Sequence, residues 1–201
     1  MTVQQESVVT PERLAQGITW QEWMDKIERN KEKFQENYDE TTLNADDVAA
    51  IKALMEKENG PVSVLALGEP WCTDVVRGMP VMARLAEATG LDMKVFFRDE
   101  NLDIMNEFLY KGEYQSIPVF VFYSKDHEYL GHWIERSKKA REEIKTVLNP
   151  LTTKLREPDL SEEERAKYMA EYEAFQHGPI WDGWRQTEVT EIRELLEAHV
   201  K

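Results

Sequence analysis

Residues 62–76 read V-S-V-L-A-L-G-E-P-W-C-T-D-V-V, and this stretch decides the fold class. Its apolar run, Val62–Leu67, is bounded by the turn residues Gly68 and Pro70 and has the length of a buried strand. The chain's one cysteine, Cys72, comes next, and a helix-compatible segment follows it. Because the free N–H groups and the dipole of a helix N-terminus stabilise a thiolate, this placement predicts that the pKa of the Cys72 thiol is lowered.

A second apolar run begins at S-I-P-V-F, residues 116–120. Proline cannot donate to a sheet ladder, so Pro118 fits the first residue of a strand or an edge strand. With W-C-T-D at 71–74, these pieces resemble the thioredoxin superfamily over roughly residues 60–150. Within that superfamily they are similar to bacterial thioredoxin-like proteins, and the further matching segments are R-D-E-N at 98–101, L-G-H-W at 130–133 and the helix-kinking Pro80.

In thioredoxins the first cysteine of C-x-x-C attacks a substrate disulfide, and the second cysteine resolves the mixed disulfide. The resemblance implies that Cys72 is the nucleophile, whereas Val75 occupies the position of the resolving cysteine. It also implies a cis peptide bond before Pro118, beside the cysteine, which leaves the backbone of Ile117 free to pair with an extended substrate. The residues expected to bind substrate are Trp71, Thr73, Asp74, Ile117 and Pro118.

Two functions remain open on these residues. The first is a monothiol thiol–disulfide oxidoreductase, in which Cys72 exchanges with a protein disulfide or a low-molecular-weight thiol and an external thiol regenerates it. The second is a redox-inactive thioredoxin-fold module that binds a protein or peptide at the same groove. Neither function calls for a cofactor.

The sequence also predicts roles for charged and aromatic residues near Cys72. Asp74 is expected to cap the helix rather than relay a proton, and Asp99 is expected to cap the helix after the second strand. Arg77 is interpreted as a solvated side chain, although it could bind an anionic group. Trp71 either borders the substrate surface or packs against the edge of the sheet.

Composition excludes several classes of partner. The 201 residues contain 25 Lys and Arg against 39 Asp and Glu, and the net charge of −14 argues against nucleic acid and anionic membrane surfaces. The four histidines have no metal-ligand spacing, so no metal site is expected, and no apolar run is long enough to span a membrane. The N-terminal M-T-V-Q-Q-E-S does not resemble a signal peptide, so a cytoplasmic protein is expected. The oligomeric state stays open.

The order of the predicted elements indicates an α/β fold, a four-stranded mixed sheet flanked by helices with helical N- and C-terminal extensions. Strands are predicted at 62–67, 93–98, 118–123 and 128–133, with the first strand central. The chain is interpreted as a single domain, 1–201. Its parts are an N-terminal helical extension (1–59), a thioredoxin-like core (60–150) and a C-terminal helical extension (151–201).

Caps and apolar spacing place the helices. Helix starts are predicted after the capping residues Thr10, Thr19, Ser137 and Ser161. The apolar stripe at positions 20–34 predicts one long helix, another is predicted over 101–110, and residues 1–9 are expected to fray. The aromatic residues near the C-terminus are expected to pack the tail onto the core; they are Phe175, Trp181 and Trp184, together with Ile180.

Overall fold

The computed structural model describes residues 7–201. Its centre is a four-stranded mixed sheet in the order β2-β1-β3-β4, where β1 is parallel to β2 and antiparallel to β3, and β3 is antiparallel to β4. Each strand lies within one residue of its predicted position, and the central place of the first strand is confirmed. The strands are β1 (Pro61–Gly68), β2 (Asp92–Phe97), β3 (Val119–Ser124) and β4 (Tyr129–Ile134).

Helices flank the sheet, so the predicted fold class is confirmed. Within residues 7–201 they are α1 (Pro11–Leu14), α2 (Trp20–Lys26), α3 (Lys31–Glu40), α4 (Ala45–Met55), α5 (Thr73–Thr89), α6 (Leu102–Met105), α7 (Lys138–Val147), α8 (Asn149–Leu155), α9 (Glu162–Gln176) and α10 (Pro179–His199). A short 3-10 turn, Arg98–Glu100, precedes α6. The predicted caps are present, since Thr10, Thr19, Ser137 and Ser161 each accept a hydrogen bond from a backbone N–H of the first turn.

The single long helix predicted after Thr19 is wrong. The chain leaves the helical conformation at Ile27, and Asn30 has a positive φ of 58° before α3 begins. The Asn30 amide donates a hydrogen bond of 2.8 Å to the carbonyl of Pro70. The break therefore ties the N-terminal helices to the loop just before Cys72, a long-range contact that helical periodicity does not reveal.

The helix predicted over 101–110 is also too long. The Asn101 amide donates to the carbonyl of Phe97, which closes a tight turn at the end of β2. Lys111 and Gly112 both have positive φ, 57° and 72°, so the chain turns back there. Asp99 is not a cap; its carboxylate pairs with the Arg98 guanidinium at 2.7 Å.

Two apolar clusters hold the elements together. The larger one surrounds the sheet and includes Val9, which is 2% exposed, so the predicted fraying is wrong for that residue. The rest of that prediction falls mainly on residues 1–6, which lie outside the described residues. The smaller cluster lies among the C-terminal helices and contains Ala140, Leu148, Trp181 and Trp184, with Tyr172 and Phe175 packed against it.

The aromatic residues Phe175, Trp181 and Trp184 thus build a cluster of their own between helices, whereas the neighbouring Ile180 is exposed. Helix α8 was not predicted, because Asn149–Leu155 has few apolar residues and no buried side chain.

The division of the chain at residues 59 and 150 stays a prediction. No helix among residues 7–201 is long and apolar enough to cross a membrane.

Candidate functional site

Cys72 is the N-cap residue of α5, at the point where the chain leaves β1. Its backbone is extended (φ −87°, ψ 125°), its N–H donates to the carbonyl of Glu69 at 3.1 Å, and its carbonyl accepts from Val76 at 3.0 Å. The thiol is therefore held at the first turn of a seventeen-residue helix. The residue is half-buried.

The predicted proline lies next to this thiol. The Ile117–Pro118 peptide bond is cis, as the sequence predicted. The Cys72 Sγ lies 3.7 Å from the carbonyl oxygen of Ile117, although the two residues are 45 positions apart in the chain. The fold thus brings together the cysteine and the backbone that was expected to receive an extended substrate.

The electrostatic surroundings do not favour the thiolate. Burial raises the pKa of the Cys72 thiol, and the neighbouring carboxylate of Asp74 raises it further. The backbone N–H groups of Val75 and Asp74 and the charge of Arg136 lower the pKa, but the net direction is upward. The predicted lowering is therefore wrong, because the helix N-terminus is outweighed by desolvation of the charged sulfur.

Asp74 is not the helix cap that the sequence predicted, because Cys72 takes that position. Its carboxylate joins two guanidinium groups, Arg77 at 3.0 Å and Arg136 at 2.6 Å. Arg136 also reaches the carboxylate of Glu135 at 2.7 Å. Asp74 is thus the link between the cysteine and a chain of alternating charges.

Arg77 is buried, so the interpretation of a solvated side chain is wrong. It is 1% exposed, and its guanidinium lies 5.5 Å and 5.7 Å from the ring centres of Trp181 and Trp184. A cation over an aromatic face is attracted to the ring's negative quadrupole. Arg77 therefore connects the first turns of α5 to the aromatic cluster of the C-terminal helices.

Glu188 of α10 is the most unusual charged group near the site. It is 1% exposed, and neither of its carboxylate oxygens has a hydrogen-bond partner within residues 7–201. Burial raises the pKa of Glu188 well above its usual range, with Arg77 opposing this and Glu191 and Asp74 adding to it. Burial therefore favours the neutral form of this carboxyl group.

Two of the predicted substrate-binding residues lie at the surface beside the thiol. Trp71 is 43% exposed and stacks under the Arg98 guanidinium at 5.4 Å, so it borders the surface rather than packing against the sheet. Its indole N–H points to Asp99 at 3.4 Å. Thr73 is exposed and faces Tyr172 of α9.

Sequence reasoning missed Glu135, Arg136, Tyr172 and Glu188. The first two could have been found from strand register, because Ile134 pairs with Val119 and the next residues must lie beside Pro118. Tyr172 and Glu188 lie on helices far along the chain, and nothing in their local sequence marks them. Within the described part of the chain, no group of three His, Cys, Asp or Glu side chains is placed to hold a metal ion.

Two solved structures share this architecture. One is a Pseudomonas aeruginosa protein of unknown function, with a TM-score of 0.65 and 12% identity over 96% of this chain and 99% of that one. The other is an HIV epitope scaffold, with a TM-score of 0.62 and 13% identity over the same shares of the two chains. At these identities the likeness concerns the fold alone. No curated protein matches the sequence.

The thioredoxin family model matches residues 17–150. This span contains the whole sheet, the α5 helix with Cys72 at its start, and the cis peptide bond at Pro118. It also begins well before residue 60, so the helices α2 to α4 belong to the matched region rather than outside it. The chain is therefore a member of the thioredoxin family.

Proposed function

We propose that this protein is a monothiol thiol–disulfide oxidoreductase with Cys72 as its nucleophile. The observation that carries the proposal is the 3.7 Å approach of the Cys72 Sγ to the carbonyl of Ile117 at the N-terminus of α5. This geometry holds the reactive sulfur beside a backbone segment that can pair with an extended chain. The substrate is a protein disulfide or the disulfide of a low-molecular-weight thiol.

The thiol–disulfide exchange takes place in two steps. The Cys72 thiolate attacks one sulfur of a disulfide R–S–S–R′, forms the mixed disulfide Cys72–S–S–R and releases R′–S⁻, which takes up a proton. An external thiolate then attacks the R sulfur, forms a new disulfide with R, and releases Cys72 as the thiolate. The external thiol is required because Val75 has no sulfur at the position where a resolving cysteine would stand.

The raised pKa of the Cys72 thiol affects both steps. Fewer molecules carry the thiolate at neutral pH, so the attack is slow. A thiol of higher pKa is also a poorer leaving group, so the mixed disulfide on Cys72 persists. A protein of this kind holds an adduct and passes it to an added thiol, and it is a poor oxidant.

Exposed side chains beside the sulfur supply the surface for a partner. Trp71 and Thr73 border the thiol, and a planar aromatic with one face exposed offers a large contact area to a peptide. Asp74 is half-buried and Ile117 is buried, so the exposed part of the proposed substrate surface is formed by Trp71 and Thr73. A compartment with a pool of reduced thiols, such as the cytoplasm, suits a protein that needs an external thiol.

The raised pKa also supports a second candidate function, a redox-inactive binding module. In that case the same surface around Trp71 and Pro118 binds a protein or peptide, and the thiol of Cys72 takes no part. This candidate differs from the first in one respect that is easily measured, which is whether an adduct forms on the sulfur.

The deciding experiment follows adduct formation by intact-mass spectrometry. The full-length protein is incubated with glutathione disulfide between pH 6 and pH 10, and then with reduced glutathione. We expect one glutathione to add to the protein, increasingly at alkaline pH, and to leave on addition of reduced thiol. Cys72→Ser should show no adduct, and failure of the wild type to form one over the whole pH range would favour the binding module.

A further inference from the structure

A small pocket with aromatic walls lies on the sheet face that α10 leaves uncovered. α10 packs on the other face of β4, where its Leu195 would lie 3.0 Å from a Cβ added at Gly131 and its Glu191 accepts a hydrogen bond from Trp133. Because successive side chains of a strand point to opposite faces, His132 points away from α10. The pocket on that side has a volume of about 300 Å³.

Ring pairs form the walls of this pocket. Tyr123 and His127 stack in parallel with ring centres 4.5 Å apart and planes 3° from each other. The ring centre of Phe108 lies 6.4 Å from that of Tyr129 and 5.3 Å from that of His132. Walls of this kind bind a flat ring well, because an added ring can stack on one face and meet an edge of another.

Most polar side chains of the pocket already make a hydrogen bond within the protein. His127 shares a hydrogen bond with the carbonyl of Val9 at 2.7 Å, and the Tyr129 hydroxyl is paired with Nδ1 of His132. Tyr123 is 3% exposed, and its hydroxyl lines the pocket without a hydrogen-bond partner among residues 7–201. A hydroxyl in this position can donate its proton to a ligand that binds in the pocket and has an acceptor within reach.

The charge of the pocket selects among possible ligands. Among residues 7–201, Glu107 is the one acidic residue that lines it, and no lysine or arginine does. The Glu107 carboxylate is held by the Ser7 hydroxyl at 2.6 Å, which fixes its place at the rim. An anionic ligand would meet this carboxylate with no cation to compensate, so a neutral or cationic ring is favoured.

We propose that this pocket binds a small planar aromatic molecule, neutral or cationic, with an oxygen or nitrogen that accepts a hydrogen bond from Tyr123. The volume lies at the lower end of the range for small-molecule sites, which suits a ligand of one or two rings. Tyr123 lies five residues along β3 from Pro118, about 16 Å at the rise of an extended strand. The pocket is therefore separate from the surface around Cys72, and its occupancy does not depend on thiol chemistry.

The test uses three phenols that share a para-ethyl side chain and end in a cationic, a neutral or an anionic group: tyramine, 4-ethylphenol and 3-(4-hydroxyphenyl)propionate. Each is titrated into the full-length, ¹⁵N-labelled protein, and amide shifts are followed by NMR. We expect saturable shifts around Phe108, Tyr123, His127 and His132 with tyramine and 4-ethylphenol, and at least about fivefold weaker binding of the propionate.

Variants locate the binding. Tyr123→Phe keeps the ring and removes the hydroxyl, and should weaken tyramine binding about three- to tenfold, the effect of one hydrogen bond. Tyr129→Ala removes an exposed wall at little cost to folding and should weaken it as well. Tyr114→Phe, at an exposed tyrosine outside the pocket, and Cys72→Ser should leave binding unchanged. The absence of saturable shifts, equal binding of all three phenols, or unchanged affinity in Tyr123→Phe would each overturn the proposal.

Discussion

The carboxyl group of Glu188 lies directly against the backbone of Gly78 on the helix that begins at Cys72. A Cβ atom at Gly78 would lie 3.0 Å from Oε2 of Glu188 and 3.3 Å from Cγ of Pro118, closer than side chains usually approach. Glycine thus lets α10, α5 and the cis proline meet at one point. The C-terminal helices are therefore in contact with the same residues that hold the thiol.

Stability should depend on pH through Glu188. Because the pKa of Glu188 is raised in the folded state, its stabilising neutral form is fully present below the unfolded pKa, about 4.3. Stability should then fall as pH rises toward the folded pKa, by at most ~1.4 kcal/mol per pH unit. Urea unfolding of the wild type and of Glu188→Gln at pH 4, 6 and 8 measures this, and we expect the variant to gain relative to the wild type as pH rises.

Glu191→Gln is the matched control on the same helix. The carboxylate of Glu191 accepts hydrogen bonds from Trp133 at 3.0 Å and from the backbone N–H of Lys138 at 2.7 Å. Its replacement should therefore destabilise the protein at neutral pH. A stability difference between wild type and Glu188→Gln that is the same at all three values of pH would contradict a raised pKa of Glu188 in the folded protein.

Arg77→Ala should be strongly destabilising. The substitution removes the buried guanidinium that pairs with Asp74 and lies against Trp181 and Trp184. Breaking a buried ion pair from one side costs about 3–5 kcal/mol. Chemical denaturation measures the loss, and near-ultraviolet circular dichroism reports whether the tryptophans lose their fixed surroundings.

Arg84→Ala on the same helix provides the comparison. That side chain is 38% exposed and pairs with the exposed carboxylate of Glu87, an arrangement worth at most about 1 kcal/mol. Equal losses in the two variants would show that Arg77 makes no special contact with the C-terminal helices.

Asp74→Asn should lower the pKa of the Cys72 thiol. The carboxylate of Asp74 raises that pKa, and its neutralisation also removes one of the two carboxylates that pair with Arg136, whose charge lowers the pKa. The rate of alkylation by iodoacetamide, measured from pH 6 to pH 11, should reach half its maximum at a lower pH in the variant. Asp99→Asn, which removes a carboxylate near Trp71, should leave the profile unchanged.

Val75→Cys should give the protein a dithiol activity that the wild type lacks. Val75 is fully buried one helical turn after the thiol, and its backbone N–H faces the Cys72 sulfur, so a cysteine there is placed to resolve a mixed disulfide. Precipitation of insulin with dithiothreitol as the reductant measures the gain. Val76→Cys places a thiol about 100° further around the helix and should show little activity.

Much of the core of this protein could be read from short segments. Apolar runs between turn residues predicted the strands. Thr19, Ser137 and Ser161 predicted helix starts, because capping depends only on a few neighbouring residues. The cis bond before Pro118 followed from a family resemblance carried by W-C-T-D and S-I-P-V-F. The break at Asn30 was missed because its cause is a hydrogen bond to a residue forty positions away.

The sequence by itself determined the fold class, the order of the strands and the place of Cys72 at the start of a helix, since these depend on local pattern and on a motif. Only the tertiary structure decided in which direction the pKa of the Cys72 thiol shifts and which groups surround it. Burial of Cys72, the pairing of Asp74 with two arginines and the raised pKa of Glu188 all arise where segments distant in the chain exclude water together. How far a group is desolvated depends on which segments pack around it in the folded protein. The sequence around Cys72 therefore does not show whether the pKa of its thiol is raised or lowered.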